Sequence, residues 1–276
     1  MPELPEVETV RRTLEPLVLG AKIDKVWTSG KPLRLNRPVD AAGLKRVAQG
    51  GTITALRRRA KYLLIDTEKG TTLVHLGMTG RVRVQPADEP RVTHTHVAWR
   101  LADGREMRFV DPRRFGLVMP VPRGGEATMP ELAELGIEPL GPEFTADKLL
   151  ALAKASKRAL KLMLLDQTAI VGLGNIYVAE ALFDAKLHPH RIAKKLTAAQ
   201  AVTLHQAIVD VLTRAIENRG TTLRDYVDSN GEVGFNQLVL SVYGRGGEPC
   251  LTCGKPVRAV VTQGRGTFYC PNCQIR

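Results

Sequence analysis

The chain has 276 residues, of which 43% are hydrophobic and 25% are charged, a composition typical of a soluble globular protein with room for two or more domains. Forty basic residues against 28 acidic ones give a formal charge of +12, which predicts a polyanionic partner without distinguishing nucleic acid from anionic lipid or the ribosome. No run approaches the length of a membrane span and no cleavable leader is recognisable, so the sequence predicts a cytoplasmic protein that does not bind membranes.

The first residues combine a reactive amine with a carboxylate. If Met1 is removed, as is usual before a small residue, the nitrogen of Pro2 becomes a secondary amine. An α-amino group titrates near ~8, so part of it is uncharged at neutral pH and can form an iminium with an electrophilic carbon. Glu3 beside it can act as general acid or base. The alternative is that Pro2 and Glu3 merely start a helix, which Pro5 at a first helical position, apolar residues at helical spacing and a stop at Gly20 predict.

Residues 22–121 alternate short β-rich segments with turn signals such as Asp103-Gly104, a pattern typical of a β-sandwich or barrel. The predicted strands cover residues 23–27, 52–56, 62–66, 72–76, 81–84, 96–101, 107–110 and 115–119.

A link rich in Pro and Gly then precedes a helical region, with helices predicted near 145–152, 156–165, 176–185 and 197–218. Residues 221–247, rich in Gly, Asn and Asp, predict a long mobile loop.

All four cysteines lie in the last 27 residues and read C-x2-C, sixteen residues, C-x2-C. In an intracellular protein this spacing predicts one structural Zn²⁺ held by four thiolates, which leave no open position for catalysis. Disulfides are the alternative, and a reducing compartment disfavours them. The predicted ligands are Cys250, Cys253, Cys270 and Cys273.

Two basic segments can meet an anion. Arg57, Arg59 and Lys61 lie on one face if the strand continues through them, and they either surround an anion or form a solvated face. Gly172-Leu173-Gly174-Asn175, preceded by helical lysines, is a turn whose N–H groups can hold phosphate, although this motif alone is weak.

Asp111-Pro112-Arg113-Arg114-Phe115-Gly116 places two cations and a ring in a turn. Such a turn suits phosphate contact with insertion of Phe115 between bases, or it is an ordinary turn with a buried ring. Met78, between two glycines, is a second apolar residue at a loop tip, and such a residue more often belongs to a core.

Several motifs occurring in the right order resemble the bacterial formamidopyrimidine-DNA glycosylase family over essentially the whole chain. They are Met1-Pro2-Glu3-Leu4-Pro5-Glu6-Val7-Glu8-Thr9, Arg59-Ala60-Lys61-Tyr62-Leu63, His75-Leu76-Gly77-Met78, Asp111-Pro112-Arg113-Arg114-Phe115-Gly116, Gly172-Leu173-Gly174-Asn175-Ile176-Tyr177, Gly220-Thr221-Thr222-Leu223, Val242-Tyr243-Gly244-Arg245 and Thr267-Phe268-Tyr269-Cys270.

The resemblance implies an α+β multidomain fold: a catalytic β-sandwich with a flanking helix over residues 1–131, a helix-two-turn-helix domain with a lesion loop over 132–245, and a zinc finger over 246–276. It implies a monomeric DNA glycosylase and AP lyase of base excision repair. Its partner would be double-stranded DNA with oxidised bases or abasic sites, and its only cofactor the structural zinc ion.

The resemblance also implies roles for individual residues. Pro2 would be the nucleophile, Glu3 the acid, and Lys61 a phosphate contact that assists the eliminations. Arg265 would take part in the second elimination. Met78, Arg113 and Phe115 would fill the gap left by the everted nucleotide, and the DNA-backbone contacts would be His94, Arg114, Lys157, Lys161, Asn175 and Arg265.

One departure concerns the finger, where Gly264 precedes the arginine and can shift Arg265 from the family's position. The nearest alternative is the sister group acting on oxidised pyrimidines. Leu4 and the Arg113-Arg114-Phe115 turn favour the group acting on purines instead. An N-terminal-proline tautomerase would need no basic surface or finger, and a non-catalytic DNA-binding protein would tolerate retention of Met1.

Overall fold

The computed structural model describes residues 1–34, 36–223 and 225–275. Its contacts divide the chain into two units, the first formed by Met1–Glu134 with Asn218–Gln237, and the second by Leu135–Glu217 with the residues from Leu238 onward.

The first unit contains most of the sheet structure. Its helices are α1 (Leu4–Val18), α2 (Ala41–Ala48) and α3 (Pro130–Ala133), with a 3₁₀ turn at Glu126–Thr128. Its strands are β1 (Ile23–Thr28), β2 (Ile53–Arg59), β3 (Tyr62–Thr67), β4 (Gly70–His75), β5 (Arg81–Pro86), β6 (Thr95–Leu101), β7 (Arg105–Val110) and β8 (Leu117–Pro122). Each predicted strand corresponds to one of these eight.

The strands form two antiparallel four-stranded sheets, in the orders β1-β6-β7-β5 and β2-β3-β4-β8. Both sheets contribute to one hydrophobic core, with Trp99 and Phe109 from the first sheet and Leu63 and Val74 from the second. Burial of one such side chain stabilises the fold by about 1.5–3 kcal/mol. The prediction of an N-terminal β-sandwich is confirmed.

Helix α1 belongs to the same core, because Val7, Val10 and Leu14 recur at helical spacing and are all buried. The chain from residue 218 to 237 also packs here. Tyr226 joins the core, and the Ser229 hydroxyl donates to the Val10 carbonyl O at 3.4 Å. Among its described residues, the predicted loop at 221–247 has no regular structure apart from a 3₁₀ turn at Asn236–Val239, and its first half is anchored to α1.

Helix α2 is absent from the sequence prediction, which treated residues 22–121 as strands and turns. Asp40 caps this helix, accepting a hydrogen bond from the Gly43 N–H at 2.7 Å. Leu44 and Val47 are buried three residues apart, one turn of helix. An aspartate followed by that spacing is a helix signal that the β-rich surroundings obscured.

The second unit is helical and carries a hairpin. Its helices are α4 (Ala146–Ala155), α5 (Leu160–Leu164), α6 (Asn175–Asp184) and α7 (Ala198–Glu217), with a 3₁₀ turn at Ala193–Lys195, and its strands are β9 (Arg258–Thr262) and β10 (Arg265–Tyr269). Thr145 caps α4 as predicted, accepting from the Lys148 N–H at 3.2 Å. The helix predicted over 156–165 was too long, because Ser156 ends α4 and α5 starts only at Leu160.

Among the helices of the described residues, none combines the length and apolar character needed to cross a membrane.

Candidate active site

The start of α1 is buried and held by hydrogen bonds. Pro2 is buried and Glu3 is 3% exposed. The Glu3 N–H donates to Oε2 of Glu6 at 2.8 Å, while Oε1 of Glu6 accepts from the Thr221 N–H at 2.7 Å. One buried carboxylate therefore joins the first turn of α1 to the loop that follows residue 220. A terminus held in this way does not fray, and a nucleophile at residue 2 requires such a fixed terminus.

Lys61 lies in the two-residue turn between β2 and β3, where Ala60 has a φ of +53° and Arg59 pairs with Tyr62. The common face suggested for Arg57, Arg59 and Lys61 required strand alternation to continue through Ala60, and the chain instead reverses there. The lysine is 7% exposed and thus nearly buried.

Strand β2, which leads into this turn, lies against α1. Arg11 Nη1 is 3.5 Å from the Leu56 carbonyl O, and Glu8 Oε2 is 3.4 Å from Arg58 Nε. These two contacts join α1 to the last residues of β2, directly before the turn that carries the lysine.

Arg57 is not available for an external anion, because two carboxylates already hold it. It is in contact with Asp66, where Nη2 donates to Oδ1 at 3.0 Å, and with Glu126. The hydrogen bonds that Arg57 donates to Asp66 and Glu126 raise its pKa above the usual value. The predicted basic face thus contains an internal ion pair that sequence proximity could not reveal.

His75 pairs with Tyr62 across β3 and β4, and its Nδ1 accepts from the Gly77 N–H at 3.0 Å. Burial, and secondarily the positive charges of Arg34 and Lys61, lower the pKa of His75 to about 3. The imidazole is therefore neutral over the physiological range and adds no charge beside the lysine.

A buried aspartate organises the turn between β7 and β8. Asp111 is 0% exposed, and its carboxylate accepts from the Thr79 hydroxyl at 2.5 Å and from the Gly116 N–H at 2.7 Å. Its own N–H donates to the His94 carbonyl O at 3.0 Å. The prediction from the sequence included Asp111 in a motif but assigned it no role, although an aspartate before Pro in a turn is a known turn-forming signal.

The two candidate wedge residues are exposed. Phe115 is 42% exposed and Met78 is 38% exposed, so neither belongs to the core. The Arg113 guanidinium carbon lies 4.8 Å from the centroid of the Phe115 ring, a cation–π contact. Phe115 was predicted within a strand as well as in the turn, and it lies in the turn because β8 begins at Leu117.

The loops that carry these two residues touch through their backbones. Gly77 has a φ of +65°, and a Cβ on it would lie 2.4 Å from the Gly116 nitrogen. Only glycine allows this approach. Met78 and Phe115, each next to one of these glycines, therefore project from adjoining loops.

In the second unit, Arg265 is exposed at the tip of the β9–β10 hairpin. The hairpin loop is Gln263-Gly264, with φ values of +47° and +73°. A type I′ turn needs positive φ at both positions and favours glycine at the second. Arg265 is thus the first residue of β10, opposite Thr262, and the additional glycine is the residue that the turn requires.

The other predicted contacts of this unit differ in exposure. Lys157 is exposed after α4, and Asn175 is half-buried at the start of α6, with its Nδ2 donating to the Gly266 carbonyl O at 2.8 Å. Lys161 is 1% exposed, and its Nζ donates to the same carbonyl at 2.6 Å. In the first unit, His94 and Arg114 are both exposed.

The four cysteines converge below the hairpin, all as free thiols. Their Sγ atoms lie within 4.8 Å of one another, as the ligands of one tetrahedral ion require, and among the described residues they form the single group of this kind. The donor set fits Zn²⁺. The predicted structural zinc site at Cys250, Cys253, Cys270 and Cys273 is supported by this geometry.

Comparison with known proteins first defines a class, that of helix-two-turn-helix proteins with a zinc finger. Residues 135–227 match the model of the formamidopyrimidine-DNA glycosylase H2TH domain, and residues 247–275 match the zinc finger found in FPG and IleRS. Residues 1–118 match the formamidopyrimidine-DNA glycosylase N-terminal domain.

Whole relatives lead to the particular family. The formamidopyrimidine-DNA glycosylase of Bacillus licheniformis is 47% identical over 277 residues, covering 99% of both chains, and that of Cytobacillus firmus is 42% identical over 275 residues, covering 100% of both. The crystal structure of the MutM (FPG) protein from Thermus thermophilus has a TM-score of 0.88 at 43% identity, covering 99% of this chain and 98% of that one. A complex of Lactococcus lactis Fpg with DNA containing an abasic site has a TM-score of 0.90 at 34% identity, covering 99% and 100%. The chain belongs to the formamidopyrimidine-DNA glycosylase family, as the resemblance predicted.

Proposed function

We propose that this protein excises oxidised purines, namely 8-oxoguanine and formamidopyrimidines, from double-stranded DNA and then cleaves the strand at the resulting abasic site. The observation that carries the proposal is the buried start of α1, where Pro2 and Glu3 are fixed by the Glu6 carboxylate. Membership of the family supports the reaction type. We propose further that the enzyme acts as a monomer in the bacterial cytoplasm, with functional domains over 1–131, 132–245 and 246–276.

The chemistry begins once Met1 has been removed. The lone pair of the Pro2 nitrogen attacks C1′ of the damaged nucleotide, and the bond from C1′ to the base breaks. Glu3 supplies the proton that opens the sugar ring, which leaves an iminium between Pro2 and C1′. The iminium acidifies the C2′–H, and loss of that proton expels the 3′ phosphate. In a second elimination, loss of the C4′ proton expels the 5′ phosphate, and the family resemblance implies that Lys61 and Arg265 assist this step.

Access to C1′ requires the damaged nucleotide to leave the stack, which costs a few kcal/mol. Phe115, Met78 and Arg113 would occupy the vacated space, since the first two are exposed apolar residues on adjoining loops. Their exposure supports this role, because an apolar side chain that is in contact with water in the free protein stabilises the complex when it becomes buried in the duplex.

Phosphate contacts would hold the duplex in register. His94 and Arg114 would supply them from the first unit, and Lys157, Asn175 and Arg265 from the second. Lys161 belongs to the same predicted set, although its ammonium group is bound to the finger hairpin. The zinc ion supplies no chemistry and stabilises the hairpin that presents Arg265.

The sister-group activity on oxidised pyrimidines is the alternative, and a lesion series separates the two. Matched duplexes carrying 8-oxoguanine, a formamidopyrimidine or an oxidised pyrimidine are incubated with excess enzyme, and base release and strand cleavage are measured in single turnover. We expect faster release of the purine lesions and a cut strand with phosphate at both ends of the gap. Faster release of the oxidised pyrimidine would assign the protein to the sister activity.

A further inference from the structure

Lys161 on α5 is a cation that the second unit buries almost completely, at 1% exposure. Its Nζ donates to the Gly266 carbonyl O at 2.6 Å and to Oγ1 of Thr267 at 2.8 Å. Burying an ammonium group is costly unless its hydrogens meet acceptors. Both acceptors belong to β10. The free-energy cost of burying the ammonium group is therefore offset only while β10 keeps its position next to Lys161.

The hydrogen bonding continues from this lysine through two threonine hydroxyls. Thr267 Oγ1 donates to Thr262 Oγ1 at 2.9 Å, and Thr262 Oγ1 lies 2.8 Å from Nε2 of His190. An ammonium group can only donate, so Thr267 Oγ1 accepts from Lys161 and donates its own hydrogen to Thr262. The hydrogen-bonded chain therefore crosses both strands of the hairpin and ends on the segment after α6.

These anchors lie next to Arg265 on both strands. Gly266, which follows Arg265, accepts from Lys161 and also from Asn175 Nδ2 at 2.8 Å. Thr262 is the cross-strand partner of Arg265. Side chains alternate between the two faces of a strand, so Arg265 lies on the same face of β10 as the buried Thr267.

The two cations are close enough to affect each other. Burial, and secondarily the charge of Arg265, lower the pKa of Lys161 to about 8. A lysine with this environment is poorly suited to meet a phosphate in solvent, whereas its two acceptors define the position of the strand.

We propose that Lys161 is a positioning residue for Arg265 and acts on DNA only through that arginine. The family resemblance treats both as separate contacts to the DNA backbone. The inference rests on the proposed function, because it assumes that Arg265 meets a phosphate at the lesion.

A double-mutant cycle on the zinc-loaded protein tests this role. Lys161→Met, Arg265→Ala and the double variant are compared for binding to a duplex with a tetrahydrofuran abasic-site analogue. We expect Lys161→Met to weaken binding about tenfold when Arg265 is present, the loss typical of a charge-assisted contact, and to change it by less than about twofold in the Arg265→Ala background. Lys157→Met is the matched loss of an exposed lysine, and it should change affinity by the same factor in both backgrounds.

Thr267→Val removes the hydroxyl but keeps the lysine charge. It should reduce affinity in the same direction as Lys161→Met and again only when Arg265 is present. On abasic DNA, both variants and Arg265→Ala should also lower the share of product from the second elimination.

Three outcomes would overturn the inference. The first is an equal effect of Lys161→Met in both backgrounds, the second is unchanged binding by Thr267→Val, and the third is loss of zinc by Lys161→Met, which would make the lysine a folding residue of the finger. A wild-type protein that neither binds nor cleaves these duplexes would instead contradict the proposed function itself.

Discussion

At the scale of single residues, Phe115 offers the sharpest test of base eversion. Phe115→Ala should slow excision from an intact lesion duplex more than cleavage at a pre-formed abasic site, because the abasic site has no base to unstack. Bulk affinity should change little, since phosphate contacts supply most of it. The melting temperature should also change little, because the ring is 42% exposed. Single-turnover rates on both substrates measure the difference.

Val202→Ala is the matched control for Phe115, since Val202 is 59% exposed on α7 and lies in no predicted site. It should leave both rates unchanged. If Phe115→Ala reduces the single-turnover rates on both substrates equally, the ring does not act as the wedge.

His75 predicts a pH dependence of stability. Its folded-state pKa of about 3 lies below the unfolded value near ~6.5, so the unfolded chain binds the additional proton as the pH falls. Its contribution to stability is complete above the unfolded value and is lost progressively below it. At pH 5.5 the loss is on the order of 1 kcal/mol.

His75→Asn keeps an acceptor for the Gly77 N–H but cannot titrate. The variant should therefore show a shallower fall in unfolding free energy between pH 7 and 5 than the wild type, as measured by denaturant titrations. Parallel pH profiles for the two proteins would show that His75 is not held neutral by the fold.

The residue scale is also where sequence reasoning stopped short. Pro2 and Glu3 could be selected from chemistry and adjacency alone. The capture of Arg57 by Glu126, 69 positions away, depends on a long-range contact that no local pattern encodes. The burial of Lys161 is of the same kind, because its acceptors lie more than a hundred residues along the chain.

At the scale of elements, we expect the sandwich to stay folded when the zinc finger loses its ion. Cys253→Ser should lose the ion and weaken DNA binding, since three thiolates hold Zn²⁺ less well than four and the hairpin depends on it. Both tryptophans of the chain, Trp27 and Trp99, lie in strands of the first unit. Trp99 is buried, so its contribution to the emission should stay that of a buried indole in the variant.

Metal analysis and thiol titration check this prediction together. The wild type should contain one zinc ion per chain, and Cys253→Ser should contain none. A wild type without zinc and without free thiols would restore the disulfide alternative, while a loss of buried-indole emission in the variant would show that the sandwich depends on the finger.

The elements themselves were largely predictable, for physical reasons. Segments rich in β-forming residues between turn signals defined the strands, as at Asp103-Gly104 between β6 and β7. Helix α2 was missed because eight residues give too short a stretch to compete with a β-rich background. The start of α5 was misjudged because Ser156, where the prediction began the helix, instead ends α4, and α5 begins only at Leu160.

At the scale of the whole molecule, the charge of +12 and the reaction chemistry have separate roles in the proposed function. In the proposed function, the excess of cations provides affinity for any duplex, and the residues at the buried start of α1 carry out the reaction. Affinity should therefore survive changes at Glu3 that abolish base release. A non-catalytic DNA-binding protein would show the affinity alone.

Trapping of the covalent intermediate tests the central claim most directly. Borohydride added during reaction with an 8-oxoguanine duplex reduces an iminium to a stable amine, and digestion followed by mass spectrometry locates the linkage. The account predicts a DNA adduct on the nitrogen of Pro2, and none with a form of the protein that retains Met1. An adduct on Lys61 or another lysine, or active enzyme without any adduct, would contradict it.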